Sequence, residues 1–272
     1  MPEIAEVETV RNILKNMILN KEIIDVNIIY PKMIESDVLE FKKILKSRKF
    51  IDIKRIGKWL LFDLSDYYLL SHLRMEGKFF VKNHNEPIEK HEHVIITFKD
   101  HTDLRYHDTR KFGRMNLVKK ENINYVEAIK KQGIEPNDER LTKEYLYNAI
   151  KKKNIPIKTV LLDQTIISGL GNIYANEVLF QARINPLMKA RDLTIKNCED
   201  IIESSNEIIK KAIEMGGTTI KSYTSSLGVT GKFQNYLMVH KRNGLPCKRC
   251  NTNIECIKIG GRSTYYCPRC QK

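Results

Sequence analysis

The chain is 272 residues long, with 47 lysines and arginines, 33 acidic residues and a net charge of +14 at pH 7. This length allows two domains and a sizeable core, and a strongly basic chain favours a polyanionic partner, most simply nucleic acid. The sequence contains neither a signal-peptide pattern nor an apolar run long enough to span a membrane, so we expect a cytoplasmic protein.

The N-terminal segment combines a helical pattern with a chemically distinctive pair, Pro2 and Glu3. Apolar residues recur at helical spacing from Ile4 to Met17, which predicts a helix. Proline and carboxylates are favoured at helix starts, so local structure alone could explain the pair. A catalytic interpretation is also open. Methionine is readily removed before proline, and the secondary amine left behind, with a pKa of about 8, could attack C1′ of a deoxyribose with Glu3 as acid or base.

Seven short apolar segments follow the first helix and are separated by charged or turn-forming residues. They lie at 22–30, 49–56, 58–64, 67–73, 79–82, 93–98 and 103–106. This pattern predicts a β-sandwich or barrel. Two of the turns hold Met75, Arg110 and Phe112 beside glycines. Met and Phe are commonly core residues, but a wedge that enters a base stack also needs apolar side chains and an arginine that fills the vacated space.

Helical periodicity dominates from about residue 133 to residue 215. Helices are predicted at 142–152, 156–163, 173–182 and 192–215, and a left-handed glycine pair, 216–217, closes the last. Residues 216–236 are rich in Gly, Ser and Thr and are predicted to form a long loop. Before the third helix, Gly169-Leu170-Gly171-Asn172 fits a plain helix–helix connection; alternatively, Asn172 caps the helix and its N–H groups face a phosphate.

Four of the six cysteines form two Cys-x2-Cys pairs separated by 16 residues: Cys247, Cys250, Cys267 and Cys270. This spacing predicts one structural zinc ion bound by four thiolates. Between the pairs, residues 257–266 are typical of a hairpin with a Gly-Gly turn. Arg262 would protrude there as a phosphate contact, although a solvated surface arginine fits as well. Residues 238–272 hold eight lysines and arginines against one acid, Glu255, which concentrates positive charge in this segment.

Together these features resemble the bacterial formamidopyrimidine-DNA glycosylase family along the whole chain. The most specific of them are the N-terminal Pro-Glu and the Gly-Gly-Arg-Ser-Thr segment between the cysteine pairs. Glu6, the Gly57-Lys58-Trp59-Leu60-Leu61 segment, the set Met75, Arg110 and Phe112, and Gly171-Asn172-Ile173-Tyr174 also match. The resemblance implies an α+β fold with three domains: an N-terminal helix and β-sandwich (1–132), a helix–two-turn–helix domain with a lesion-recognition loop (133–236), and a four-cysteine zinc finger (237–272).

The resemblance also implies an activity: excision of oxidised purines such as 8-oxoguanine and formamidopyrimidines, followed by β,δ-elimination at the abasic site. Pro2 would be the nucleophile and Glu3 the proton donor, while Lys58 and Arg262 would serve the two eliminations. The residues that the resemblance implies as DNA contacts are His72, Met75, His91, Arg110, Phe112, Lys153 and Asn172. Lys153 represents the basic run 151–153, where the correspondence is ambiguous by one residue. The partner would be double-stranded DNA, and the protein a monomer in the bacterial cytoplasm, associated with the nucleoid.

Two positions depart from the family pattern, and two other functions compete with the one above. Ala5 and Thr109 stand where the family usually has proline, which affects local stiffness more than any reacting group. An endonuclease VIII-type glycosylase for oxidised pyrimidines would share the fold and the Pro-Glu start, but the Met75, Arg110 and Phe112 set argues against it. A non-catalytic zinc-ribbon DNA-binding protein would have no need for Pro2 and Lys58.

Overall fold

A computed structural model describes residues 1–218 and 231–272 and divides into two units. The first contains Met1–Lys130; the second contains Lys131–Thr218 and Lys232–Lys272. The central part of the predicted loop after Gly216, which was expected to select the lesion, lies outside the described residues. No helix among the residues that are described is long and apolar enough to cross a membrane.

The first unit contains the N-terminal helix and, after it in the chain, the predicted β-sandwich. Its helices are α1 (Ile4–Ile18), α2 (Val38–Leu45) and the short α3 (Glu127–Lys130). Its strands are β1 (Ile23–Ile28), β2 (Asp52–Ile56), β3 (Trp59–Asp63), β4 (Tyr67–His72), β5 (Lys78–Asn83), β6 (Glu92–Phe98), β7 (Thr102–His107) and β8 (Arg114–Lys119). They form two antiparallel sheets, in the orders β1-β6-β7-β5 and β2-β3-β4-β8. The rings of Phe62 on β3 and Phe79 on β5 lie 5.4 Å apart, so the two sheets pack face to face.

Strand β3 is central to the geometry of the site because both of its faces are covered. Leu60 and Phe62 point into the core between the sheets, while Trp59 and Leu61 pack with a second cluster that includes Ile129. All five residues of the strand are buried, which explains its unbroken apolar run. The strand therefore holds the turn before it and the paired end of β4 in fixed positions.

The sequence did not predict α2 or β8. Asp37 caps α2 by accepting the N–H of Glu40 at 2.8 Å, but the helix buries only Phe41 and Leu45. A helix of eight residues with one buried pair gives too short a periodic signal to detect.

The described part of the second unit contains four helices and a two-stranded hairpin. The helices are α4 (Lys143–Ile150), α5 (Ile157–Leu161), α6 (Asn172–Gln181) and α7 (Ile195–Glu214), and the hairpin pairs β9 (Glu255–Ile259) with β10 (Arg262–Tyr266). Helix α7 begins three residues later than predicted because Thr194 and Asn197 form a capping box. It ends at Glu214, and the predicted left-handed glycine pair after it, Gly216 and Gly217, has φ of +72° and +74°.

A buried carboxylate attaches the zinc-finger segment to α6. Glu177 on that helix accepts the backbone N–H groups of Met238, Val239 and His240 at 2.7, 3.0 and 2.8 Å. Three such bonds satisfy the carboxylate in a buried position, where an unpaired one would be strongly unfavourable. The predicted α+β class, with a β-sandwich, a helical domain and a cysteine-rich finger, is confirmed.

Candidate active site and nucleic-acid interface

Pro2 lies outside helix α1, directly before its N-cap residue Glu3. It is therefore not at the first helical position, where prolines are favoured, and that explanation for it is wrong. The backbone N–H of Glu3 donates to Glu6 Oε2 at 2.9 Å, so Glu6 fixes the start of the helix. Pro2 is half-buried and Glu3 is buried.

Lys58 occupies a two-residue turn between β2 and β3. Gly57, the first residue of that turn, has a φ of +56°, which a type II′ turn requires at this position. Lys58 is only 5% exposed. Arg55 donates to the Gly57 carbonyl oxygen at 2.9 Å and to Glu8 Oε2 on α1 at 2.9 Å. The turn is thus joined to the helix that begins directly after Pro2 and Glu3.

His72 at the end of β4 pairs in register with Trp59, the residue after Lys58. The two rings meet edge to face, with centroids 4.8 Å apart. The backbone N–H of Arg74 donates to His72 Nδ1 at 2.9 Å, so in the neutral ring Nε2 carries the proton. Burial lowers the pKa of His72 to about 3, and the positive charges of Arg74 and Lys58 contribute. The imidazole is therefore a neutral donor, suited to a phosphate oxygen.

The loop that holds Arg110 and Phe112 is organised by Asp108, a fully buried carboxylate. Asp108 accepts the backbone N–H groups of Arg110 at 3.0 Å and Gly113 at 2.7 Å. The Arg110 guanidinium lies over the Phe112 ring, 4.6 Å from its centroid. Phe112 is 45% exposed, so it is not a core residue.

Tyr106 explains the glycines that flank both candidate wedge turns. A Cβ at Gly77 would lie 2.0 Å from Tyr106 Oη, and one at Gly113 would lie 1.8 Å from the same atom. Only glycine permits this approach, so both turns pack against one tyrosine. The half-buried Met75 and the Arg110–Phe112 loop are thereby brought to the same place. His91, with a φ of +79°, adjoins the loop because its carbonyl accepts the Asp108 N–H at 3.0 Å.

In the second unit, the hairpin brings Asn172 close to Arg262. Gly171, not Asn172, is the N-cap of α6, so the alternative in which Asn172 caps the helix is wrong. Asn172 Nδ2 instead donates to the Ser263 carbonyl oxygen at 3.0 Å. The fully buried Lys158 Nζ donates to the same oxygen at 3.0 Å and to Thr264 Oγ1 at 2.7 Å. These contacts fix the strand that begins with the exposed Arg262.

Gly260 and Gly261 form the predicted hairpin turn, with φ of +53° and +74°. Lys153 is half-buried in the turn that follows α4, where its N–H donates to the Ile150 carbonyl oxygen at 2.7 Å. Its two neighbours, Lys151 and Lys152, are exposed.

The four predicted zinc ligands converge. The sulfur atoms of Cys247, Cys250, Cys267 and Cys270 all lie within 4.8 Å of one another. The Cys247–Cys270 and Cys250–Cys267 sulfur pairs are 3.9 and 3.4 Å apart. Zinc–sulfur bonds of about 2.3 Å in a tetrahedron place sulfurs about 3.8 Å apart, so the cluster fits one zinc ion. The predicted structural zinc site is confirmed, and the ion would hold the two cysteine pairs of the finger together.

Sequence reasoning missed the buried and half-buried polar residues that orient the candidate side chains: Glu8, Arg55, Tyr106, Asp108 and Lys158. Lys158 had a detectable signal, since it is a lysine within the apolar segment Ile157–Leu161. The other four had none, because their partners are set by strand pairing and loop conformation.

Three family models match the chain in order. The formamidopyrimidine-DNA glycosylase N-terminal domain matches residues 1–115, the H2TH domain of the same family matches residues 132–224, and a zinc finger found in FPG and IleRS matches residues 244–272. The formamidopyrimidine-DNA glycosylase of Bacillus cereus is 46% identical over 274 residues, covering 100% of this chain and 99% of the relative. That of Lactobacillus delbrueckii subsp. bulgaricus is 43% identical and covers 100% of both chains.

Solved structures are similar over the same length. Lactococcus lactis Fpg in complex with DNA containing an abasic site has a TM-score of 0.94 at 39% identity and covers 99% of each chain. The wild-type Lactococcus lactis protein in complex with DNA containing N7-benzyl-Fapy-dG has a TM-score of 0.94 at 39% identity, covering 100% of both chains.

Proposed function

The chain belongs to the formamidopyrimidine-DNA glycosylase family and is a DNA glycosylase of base excision repair, and from this premise we propose that it excises oxidised purines and then cleaves the strand at the abasic site. The relatives' name supports the substrate class, since formamidopyrimidines and 8-oxoguanine are oxidation products of purines. The solved relative bound to abasic-site DNA supports the second activity.

The observation that carries the catalytic assignment is the position of Pro2 before the N-cap of α1. Removal of Met1 would leave the secondary amine of Pro2 at the positive end of the helix dipole. The dipole disfavours a positive charge on that amine. A neutral amine can attack C1′ while the bond from C1′ to the base breaks, with the amine losing its proton and the departing base gaining one. The sugar ring then opens at the C1′–O4′ bond as O4′ is protonated, which gives the iminium. Glu3, the adjacent buried carboxyl group, is the proton donor of this step.

The eliminations follow from the iminium, which makes the C2′ proton acidic. Loss of that proton expels the 3′ phosphate, and a second elimination expels the 5′ phosphate. We assign Lys58 to the first elimination and Arg262 to the second. His72, as a neutral Nε2 donor, and Asn172 bind phosphates beside the extruded nucleotide, with His91 and Lys153 as further DNA contacts.

The wedge consists of Met75, Arg110 and Phe112. An extruded base leaves a gap whose cost in lost stacking amounts to a few kcal/mol. Met75 fills that gap, Phe112 enters beside it, and Arg110 pairs with the orphaned base. The exposure of Phe112 and its stacking under the Arg110 guanidinium support this assignment.

Sodium borohydride trapping on a duplex that contains 8-oxoguanine tests the proposal. The wild type should form a covalent adduct with the DNA, and Pro2→Gly, which offers a primary amine in a less constrained backbone, should form much less. A variant that retains a blocked N-terminus is the control. If it were trapped as well as the wild type, Pro2 would not be the nucleophile.

A further inference from the structure

Arg55 joins two elements that carry different parts of the chemistry. Its Nε donates to Glu8 Oε2 at 2.9 Å, and its Nη1 donates to the Gly57 carbonyl oxygen at 2.9 Å. Glu8 belongs to α1, which begins directly after Glu3, and Gly57 is the residue before Lys58. A single planar guanidinium thus spans the distance between the helix and the turn, and we call this contact the Glu8–Arg55 bridge.

The bridge lies in a position where it can be rigid. The side chains of Arg55 and Glu8 are 13% and 14% exposed, so water screens the pair less than at the surface. Burial by itself would raise the pKa of Glu8, but hydrogen bonds from Arg11 and Arg55 outweigh it and hold that pKa below its ordinary value of 4.5. The carboxylate is therefore charged at neutral pH. Arg11 Nε donates to its other oxygen, Oε1, at 3.0 Å, so the carboxylate is held from both sides.

We propose that Arg55 is a positioning residue that sets the location of Lys58 relative to the N-terminal end of α1, next to Pro2. This inference rests on the proposed roles of Pro2 and Lys58. Elimination requires Lys58 to reach the sugar or its phosphate while Pro2 is bonded to C1′. The distance between Lys58 and Pro2 must therefore fit a single bound nucleotide. A displacement of about 1 Å in such an arrangement can slow a reaction on the order of 10²-fold.

The same unit offers a control of similar bonding pattern but greater exposure in Arg48, since the side chains of Arg48 and Asp66 are 30% and 59% exposed. Its guanidinium also links a carboxylate, that of Asp66, to a turn carbonyl oxygen, that of Leu64 at 3.2 Å. This contact lies at the β3–β4 turn, at the opposite end of β3 from Lys58. Arg48→Ala therefore removes an arginine contact to the β3–β4 turn of the same unit, away from the Lys58 turn.

The experiment compares Arg55→Ala, Arg55→Lys and Arg48→Ala with the wild type on a duplex that contains one abasic site. Single-turnover strand cleavage and borohydride adduct formation are measured, together with the Kd for a duplex carrying a tetrahydrofuran abasic analogue. We expect Arg55→Ala to cleave on the order of 10²-fold more slowly, while adduct formation and Kd change little. Arg55→Lys should not restore cleavage, because an ammonium is a point charge without the planar fork that spans two acceptors.

Several outcomes would overturn the inference: cleavage by Arg55→Ala as fast as by Arg48→Ala, full rescue by Arg55→Lys, or a loss of cleavage matched by an equal loss of binding or adduct. If Arg55→Ala does not fold, the cleavage rate of Arg55→Lys tests the inference instead, since this variant keeps a positive charge in the same position. Failure of the wild type to form any adduct would instead remove the Pro2 assignment, which separates the two proposals.

Discussion

Replacing Gly113 by alanine should displace the Arg110–Phe112 loop, because the new methyl group has no space. Its Cβ would lie 1.8 Å from Tyr106 Oη and 2.7 Å from Tyr106 Cζ, whereas ordinary contact begins at 3.4 Å. The phenol oxygen would have to move by the difference, 1.6 Å. Tyr106 is fully buried and packs against the Phe79 ring at a centroid distance of 5.0 Å, so it has nowhere to move freely.

Overpacking of this kind costs about 1–3 kcal/mol. For a chain of this size, each kcal/mol lowers Tm by roughly 2–4 °C, so thermal unfolding should detect the substitution. Excision of 8-oxoguanine opposite cytosine should also slow, because the Gly113 N–H that binds Asp108 moves with the loop. Tyr106→Phe removes the nearest atom but leaves Cζ, so the double variant should recover part of both losses.

The reasoning would be refuted if Gly113→Ala matched the wild type in Tm and in excision rate. It would also be refuted if Tyr106→Phe had the same effect in both backgrounds, because the clash requires coupling between the two positions.

Three further predictions concern the proton donor, the metal and a histidine. Glu3→Gln should lose excision of 8-oxoguanine by a factor on the order of 10² to 10⁴ but cleave a preformed abasic site almost normally, since that site has already lost its base; a proportional fall on both duplexes would contradict the role of donor. Cys250→Ser should lose zinc and DNA affinity while the β-sandwich stays folded. Metal analysis and circular dichroism would show this, and a wild type without stoichiometric zinc would exclude the site. His72 should show no NMR titration between about pH 5 and pH 8. The pKa of His72 is about 3 in the folded chain and 6.5 in its ordinary state, so the stability it contributes is complete above pH 6.5 and is lost as the pH falls toward 3. The difference in unfolding free energy between the wild type and His72→Asn should therefore shrink on acidification.

The sequence predicted the features that depend on local pattern. Helix α1, the β9–β10 hairpin and the cysteine cluster follow from apolar spacing, a Gly-Gly turn and two Cys-x2-Cys pairs. Helix α2 is too short for such a signal, and strand β8 buries only Met115, so its apolar pattern is weak. At α6 the sequence left a cap by Asn172 open beside a plain connection, because Asn and Gly can both begin a helix, and the structure has Gly171 as the N-cap. The position of Pro2 outside α1 also needed the structure, since a proline one residue later would give the same apolar pattern.

The residues that the sequence could not predict share a physical role. Asp108, Arg55 and Lys158 are buried or nearly so, and each binds backbone groups next to an exposed or reactive side chain. A buried charge is tolerated only when its hydrogen bonds are satisfied, so each of these groups fixes the backbone around it in one conformation. The exposed side chains gain precision from that backbone, since Arg110 and Phe112 pack on each other, and the backbone of their loop fixes where that pair lies. It follows that replacing a fully buried partner such as Asp108 should slow excision of 8-oxoguanine as much as replacing Arg110 itself, which a side-by-side excision assay of the two variants would measure.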